Sequence, residues 1–220
     1  RRWGVFFAMG GTGHLVSALN ALLLRVGVKV VLDTDITRIE IRDGKAVGAT
    51  ASNGKYYPAD RVICNGDPPT VYQQMMPAKH ANGKRLMPDK LTQYSMGLFV
   101  LFFGTKKRFD NIAHHTIWMG PRYKELLADI FNRKILADDF SLYLHRPTAT
   151  DKSFAPDGCD SFYVLCPVPN LRASINWNES GPKLQDQIIK ALTGTILPDL
   201  DKVISDPFYM TPEDFKNDYR

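Results

Sequence analysis

Residues 5–64, VFFAMGGTGHLVSALNALLLRVGVKVVLDTDITRIEIRDGKAVGATASNGKYYPADRVIC, decide the fold. The apolar run at residues 5–8 breaks into Gly10-Gly11-Thr12-Gly13. Beyond it Leu15, Val16, Leu19, Leu22, Leu23 and Val26 recur at the spacing of an amphipathic helix, and Gly27 is placed to stop that helix. Residues 28–32 read as a strand, and 36–41 as a second strand with alternating apolar and polar positions. Asp43-Gly44 and Asn53-Gly54 are hairpin signals, because tight primed turns need positive φ at their centre. Residues 61–64 form a last short apolar strand that runs into Asn65-Gly66-Asp67-Pro68-Pro69.

The glycine loop invites a test for dinucleotide binding. The full fingerprint needs G-x-G-x-x-G between a strand and a helix, so that backbone can approach a pyrophosphate. Gly11 and Gly13 supply two positions, but the third is Val16, and Asp33 is a poor match for the acidic ribose ligand. The fingerprint is absent. A glycine hinge before a core helix accounts for the loop, while the free N–H groups of a helix start leave anion contact open.

The apolar fraction of 44% and charged fraction of 23% are those of an ordinary globular protein, and a net charge of +5 is spread without a stripe. That excludes a nucleic-acid footprint, which would cluster basic residues with stacking aromatics. Lys106-Lys107-Arg108, the densest basic run, reads as a solvated turn that could also meet anionic lipid. Cys64, Cys159 and Cys166 show no C-x-x-C spacing, so free thiols in a reducing compartment are expected, and no zinc site. The longest apolar run, residues 98–103, is far short of the ~20 residues that span a bilayer. A chain that opens on Arg1-Arg2-Trp3 and closes in a new helix is expected to be an excised piece.

Residues 68–88 read as the crossing between two units, with a short helix at 71–76 closed by Pro77. Residues 94–104 read as a strand covered on both faces, which makes Phe99, Phe102 and Phe103 core residues or the wall of an apolar cavity. Residues 114–119 are another strand. Adjacent histidines on a strand point to opposite faces, so His114 and His115 are not expected to share a metal, and His14, His80 and His145 lack partners at ligand spacing. Gly120-Pro121 opens a helix over 122–134 whose buried stripe is Leu126, Leu127, Ile130 and Phe131. Strands follow at 140–145 and 161–166, joined by a surface loop with Pro147, Pro156 and Gly158. Gly181-Pro182 starts a helix with Leu184, Ile188, Ile189, Leu192 and Ile196 on one face, and Thr211-Pro212-Glu213-Asp214 starts another. Asp138-Asp139 reads as a solvated helix end. No nucleophile elbow, persuasive carboxylate pair or cysteine with a base is present, so these patterns alone stop at an α+β globular fragment.

The residues also carry a resemblance. Gly10-Gly11-Thr12-Gly13…Leu15, then Val30-x-Leu32-x-Thr34-x-Ile36-x-x-Ile39, then Ala59-Asp60-x-Val62-Ile63-x-Asn65 resemble the flavin-dependent amine oxidase and phytoene desaturase superfamily. Residues 99–104, 113–116, 120–123, 140–145 and 163–169 resemble its bacterial-type phytoene desaturases. The resemblance implies an α/β plus α+β chain. Residues 1–67 would be part of a FAD-binding, glutathione-reductase-like Rossmann domain, joined to a substrate domain over 68–220 made of an antiparallel sheet backed by helices. It assigns FAD contacts to Ile36, whose backbone would meet the adenine, and to Asn65. It matches Gly10 and Gly11 to the family's paired glycines. Gly27-Val28 replaces a frequent second glycine pair, and Gly66 a frequent alanine. The implied reaction desaturates a C40 polyene precursor, phytoene, with hydride passing to flavin N5 and a proton leaving the adjacent carbon. The implied partners are that long apolar polyene and the cytoplasmic face of a membrane, met peripherally. Carotenoid isomerase, retinoid saturase and non-catalytic prenyl escort stay open as alternatives on one scaffold. The excised chain is expected to bind no FAD by itself.

Overall fold

The computed structural model describes residues 4, 6–81 and 93–219. Arg1, Arg2, Trp3, Val5, residues 82–92 and Arg220 lie outside them, and with them residues 82–88 of the expected crossing. The chain forms two compact units, residues 20–93 and residues 1–19 with 94–220. This division differs from the one at 67/68 drawn from the sequence. The turn at 68–75 packs on the first hairpin with Val71 buried, and the Gly10 amide is bonded to Asp151.

Helix α1, Gly11–Arg25, enters the first unit and ends as its glycine predicts. Gly27 has φ 81°. Its N–H donates to Leu24 O (3.1 Å) and that of Val28 to Leu23 O (2.9 Å), the paired 5→2 and 6→1 closure of a left-handed cap. The apolar stripe exists but is not covered: Leu15, Val16, Leu19, Leu22, Leu23 and Val26 are 41–64% exposed. Strands β1 (Ile36–Arg42), β2 (Lys45–Ala51) and β3 (Tyr56–Pro58) form an antiparallel sheet in that order. Asp43 and Gly44 carry φ 48° and 75°, as a two-residue primed turn requires. The second turn is closed by Asn53 Oδ1 accepting from Lys55 N–H (3.0 Å). A short helix, α2 (Pro68–Thr70), runs into a wider turn at Val71–Met75, and Pro77 stops it.

Two expected strands do not form. Residues 28–32 and 61–64 have no regular structure, and Ile63 is 97% exposed. Neither segment meets a neighbouring strand among the described residues. An apolar extended run becomes a strand only when its N–H and C=O groups find a ladder.

The second unit is built on a five-stranded sheet in which every pairing is antiparallel, ordered β5-β6-β7-β4-β8. Its strands are β4 (Gly97–Thr105), β5 (His115–Trp118), β6 (Leu142–His145), β7 (Asp160–Val168) and β8 (Ile204–Met210). The sequence reading placed no element over β8, whose Pro207 is a poor residue for a strand interior. In the structure β8 is an edge strand whose register slips between Phe208 and Ser205, so Asp206 and Pro207 have no partner on β4. One face of the sheet meets helix α4 (Trp177–Thr193). Phe99, Leu101, Phe103, Leu142, Leu144, Phe162 and Val164 share a core with Trp177, Leu184, Ile188, Leu192, Leu197 and Leu200.

Helix α3 covers only Tyr123–Ala128 and widens into a looser turn over Asp129–Arg133, ended by Lys134 at φ 57°. Because the widened turn shifts the helical register, Phe131 leaves the predicted stripe and is 48% exposed, while Asp129 turns inward to Arg122 and Arg133. Helix α4 begins four residues before the predicted Gly181-Pro182 start. Asn176 caps it by accepting from Asn178 N–H (3.2 Å) and donating to Glu179 (2.9 Å), so Pro182 sits in the second turn. Helix α5 (Leu200–Val203) leads into β8. Helix α6 (Pro212–Tyr219) starts as read, with Thr211 and Asp214 bonded reciprocally: Thr211 N–H to Asp214 Oδ2 (2.7 Å) and Asp214 N–H to Thr211 Oγ1 (3.3 Å).

The expected surface loop between β6 and β7 is instead anchored in the interior. Arg146, Pro147 and Thr148 are buried. Arg146 donates to Asp160 (2.9 Å) and to Ile112 O (2.8 Å), and Asp160 also accepts from Phe109 N–H (2.7 Å) and Thr148 Oγ–H (2.6 Å). Every oxygen of the buried carboxylate is therefore satisfied, as a charge taken out of water requires.

Candidate functional site

The face of the large sheet opposite α4 carries the chemistry. Strand alternation puts Phe102 on this face while Leu101 and Phe103 point to the helix. The register then aligns one residue from each strand into a single row: His115, His145, Tyr163, Phe102 and Phe208. Neighbouring rings touch along the whole row, with centroids 5.3, 4.6, 6.0 and 4.8 Å apart, and Phe102 and Phe208 lie 9° from parallel. The adjacent row is Ile117, Tyr143, Leu165, Val100 and Met210. The result is a flat strip of rings, partly open to solvent, next to a strip that is aliphatic apart from Tyr143. Burial and the Tyr163 hydroxyl push the Tyr143 phenol up to about 12, so it stays protonated. Of the three phenylalanines read as core or cavity wall, Phe99 and Phe103 are core and Phe102 belongs to the open face.

At one end of the strip the structure corrects the reading of the histidines. His114, His115 and His145 each bring a ring nitrogen within 4.8 Å of the other two. The alternation argument fails because His114 precedes β5 and is not in strand geometry, while His115 and His145 are direct cross-strand partners. His114 Nε2 and His145 Nε2 are 2.7 Å apart; His114 Nδ1 lies 2.5 Å from Thr150 Oγ1 and His115 Nδ1 2.6 Å from Tyr143 Oη. Burial, followed by the charges of His114 and His115, brings His145 down to about 4. Burial, then His115, lowers His114 as well. The Nδ1 of His145 is buried without a partner.

The residues matched to flavin contacts fall in both units. Gly10 and Gly11 each have φ 80°. The Gly10 N–H donates to Asp151 Oδ2 (2.9 Å), and a Cβ on Gly11 would stand 2.7 Å from the Phe154 ring. These glycines permit close packing before α1, and the anion at the loop is the protein's own carboxylate, which opposes a phosphate there. Ile36 begins β1, an edge strand whose outer side has no partner strand among the described residues. That leaves backbone N–H and C=O groups free for a planar heterocycle. Asn65 is exposed in irregular chain, where a Cβ on the neighbouring Gly66 would meet Val71 at 3.2 Å. Backbone at Ile36 fits an adenine edge, and the glycine pair does not fit a phosphate cradle.

Comparison with known proteins decides the lineage. The profile of the flavin containing amine oxidoreductases matches residues 2–143. The chain belongs to this family. Within the family it is 41% identical over 219 residues to a lycopene-forming phytoene desaturase of Paracoccus sp. strain N81106, covering 99% of this chain and 44% of that protein. It is 39% identical to the lycopene-forming enzyme of Pseudescherichia vulneris (98% and 44% covered) and 37% identical to the neurosporene-forming enzyme of Rhodobacter capsulatus (100% and 43%). The chain thus spans less than half the length of these relatives. A solved oxidoreductase from Methanosarcina mazei shares the fold, with TM-score 0.63 and 17% identity over 92% of this chain and 43% of that one. The family's mixture of helices and antiparallel sheets is what the structure displays.

Proposed function

We propose that the whole protein is a FAD-dependent desaturase of phytoene acting in carotenoid formation. The observation that carries this is the 37–41% identity to phytoene desaturases along nearly the entire chain. The ring strip supports it: a conjugated hydrocarbon has no polar handle, and a flat aromatic wall next to an aliphatic one offers dispersion contact along its length. When bound, the flavin supplies the hydride acceptor for oxidising a C–C single bond. This chain's residues would orient the polyene and keep water out. Phe102, Phe208 and Tyr163 form the wall, and the protonated Tyr143 adds no charge to it. Residues 1–67 would belong to the Rossmann-type FAD-binding domain. The backbone of Ile36 would meet the adenine, Asn65 would sit at the domain exit, and the exposed stripe of α1 would be covered by parts of the family fold outside this chain. Because the substrate dissolves in lipid, the protein would work peripherally at the cytoplasmic face of a membrane.

The test is expression of the whole protein in cells that accumulate phytoene. Coloured polyenes with loss of phytoene are expected, and Phe102→Ala is expected to slow their formation while flavin content holds. Unchanged phytoene beside a flavin-loaded protein refutes desaturation and points to isomerase or saturase chemistry. Unchanged phytoene without flavin points to a lipid escort.

A further inference from the structure

The ring strip ends on three imidazoles that hydride removal from a hydrocarbon leaves without a task. Their nitrogens converge: all three ligand-capable atoms lie within 4.8 Å. His114 Nε2 and His145 Nε2, at 2.7 Å, must share a proton or a cation, since two bare lone pairs at that distance repel. The outer nitrogens are already held. In the tautomer protonated at Nδ1, His114 donates to Thr150 Oγ1 and His115 donates to Tyr143 Oη, and each ring presents a bare Nε2. Such outer partners orient histidines that bind metals.

We propose that His114, His115 and His145 form a binding site for one first-row divalent transition-metal ion of the zinc type, with a fourth position open. An all-imidazole set suits zinc, copper or nickel and not magnesium or calcium, which prefer oxygen. Zinc–nitrogen bonds of about 2.0–2.1 Å in a tetrahedron set the nitrogens roughly 3.3 Å apart, so the His114–His145 contact opens by about half an ångström. The His115 and His145 rings, 15° from parallel, turn about χ2 to aim at one ion, and that torsion is soft. The rings of Phe7, 4.6 Å from His114, and Tyr163, 4.6 Å from His145, wall the site.

The experiment takes the whole flavoprotein, treated with chelator and titrated with Co²⁺. One equivalent with a tetrahedral visible spectrum is expected, displaced by Zn²⁺ and not by Mg²⁺. Tyr143→Phe, which removes the outer partner of His115 together with the hydroxyl's contact to Tyr163, should weaken binding by roughly 10–100-fold. His145→Gln should abolish the spectrum. A readout on the unaltered protein covers the case in which that variant does not fold: Zn²⁺ should protect the three histidines from acylation by diethyl pyrocarbonate, and chelator should restore it. Acylation indifferent to Zn²⁺, or a cobalt spectrum retained in a folded His145→Gln protein, overturns the site.

Discussion

Replacing Arg146 with methionine should be among the most damaging single changes in the second unit. The guanidinium is 3% exposed and its partner Asp160 is 0% exposed. Methionine keeps the stem's volume but deletes three donors. Asp160 retains Phe109 N–H and Thr148 Oγ–H and loses its one charged hydrogen-bond partner among the described residues; the Ile112 carbonyl loses its Arg146 donor. The contact with Asp110 adds little, because that carboxylate is 73% exposed. Breaking one side of a buried pair costs about 3–5 kcal/mol. Against the 5–15 kcal/mol typical of a whole protein, that is about a fifth of the total or more. At roughly 2–4 °C per kcal/mol for a chain of this size, Tm should fall by about 6–20 °C. Urea denaturation followed by circular dichroism measures the loss, with an unchanged m-value showing that the transition is the same one. Adding Asp160→Asn should cost less than its effect alone, because the stranded charge is then gone. A loss below about 1 kcal/mol for Arg146→Met, or strict additivity in the pair, would refute the account.

Three more outcomes follow from the geometry. Burial pushes the Cys166 thiol up to about 12, so at pH 8 it should resist a disulfide reagent that labels the exposed Cys64, and become reactive only on unfolding; peptide mapping of the labelled sites decides this. Asp151 lies below its ordinary 3.8 because Ser153 and the Gly10 amide hydrogen-bond its carboxylate. Its contribution is therefore present above the unfolded value and lost as pH falls through the folded one. The stability gap between the natural protein and Asp151→Ala should hold steady down to about pH 5 and close below 3.8 in denaturation series. Gly48 in β2 has φ 154°, and an added Cβ would stand 2.3 Å from Tyr57 O. Gly48→Ala should cost about 1–3 kcal/mol through displaced backbone, read as loss of hydrogen-exchange protection in β2 and β3.

Local chemistry made much of this fold readable from the residues. Asp43-Gly44 announced its hairpin and Gly27 its helix end, because each needs positive φ within a few residues. Thr211 through Asp214 announced a cap because its reciprocal partners lie only three residues apart. Errors arose where the deciding partner is distant. Residues 28–32 and 61–64 have strand composition but no ladder among the described residues, and β8 has an unpromising proline but a ladder on β4. Arg146 and Asp160 looked like ordinary loop charges; nothing near them in sequence announces that they meet in the interior. The ring strip was invisible for a related reason. Each of its members is one residue of a different strand, and only the register of four pairings sets them side by side. Period-two reasoning about His114 and His115 went astray at the one position where the chain has not yet entered the strand.

The slip in β8 bears on how the molecule behaves in a crowded solution. A sheet edge is a template on which a second molecule can stack its own strand, and long, flat, apolar edges seed aggregates. Here that edge is broken in its middle: Asp206 takes φ 49°, and Pro207 has no N–H to offer an incoming strand. The opposite edge, β5, is only four residues long. The sheet therefore exposes a face of rings while both of its borders discourage growth by strand addition. Pro207→Val should leave the interior core intact and shorten the time to visible aggregation on warming.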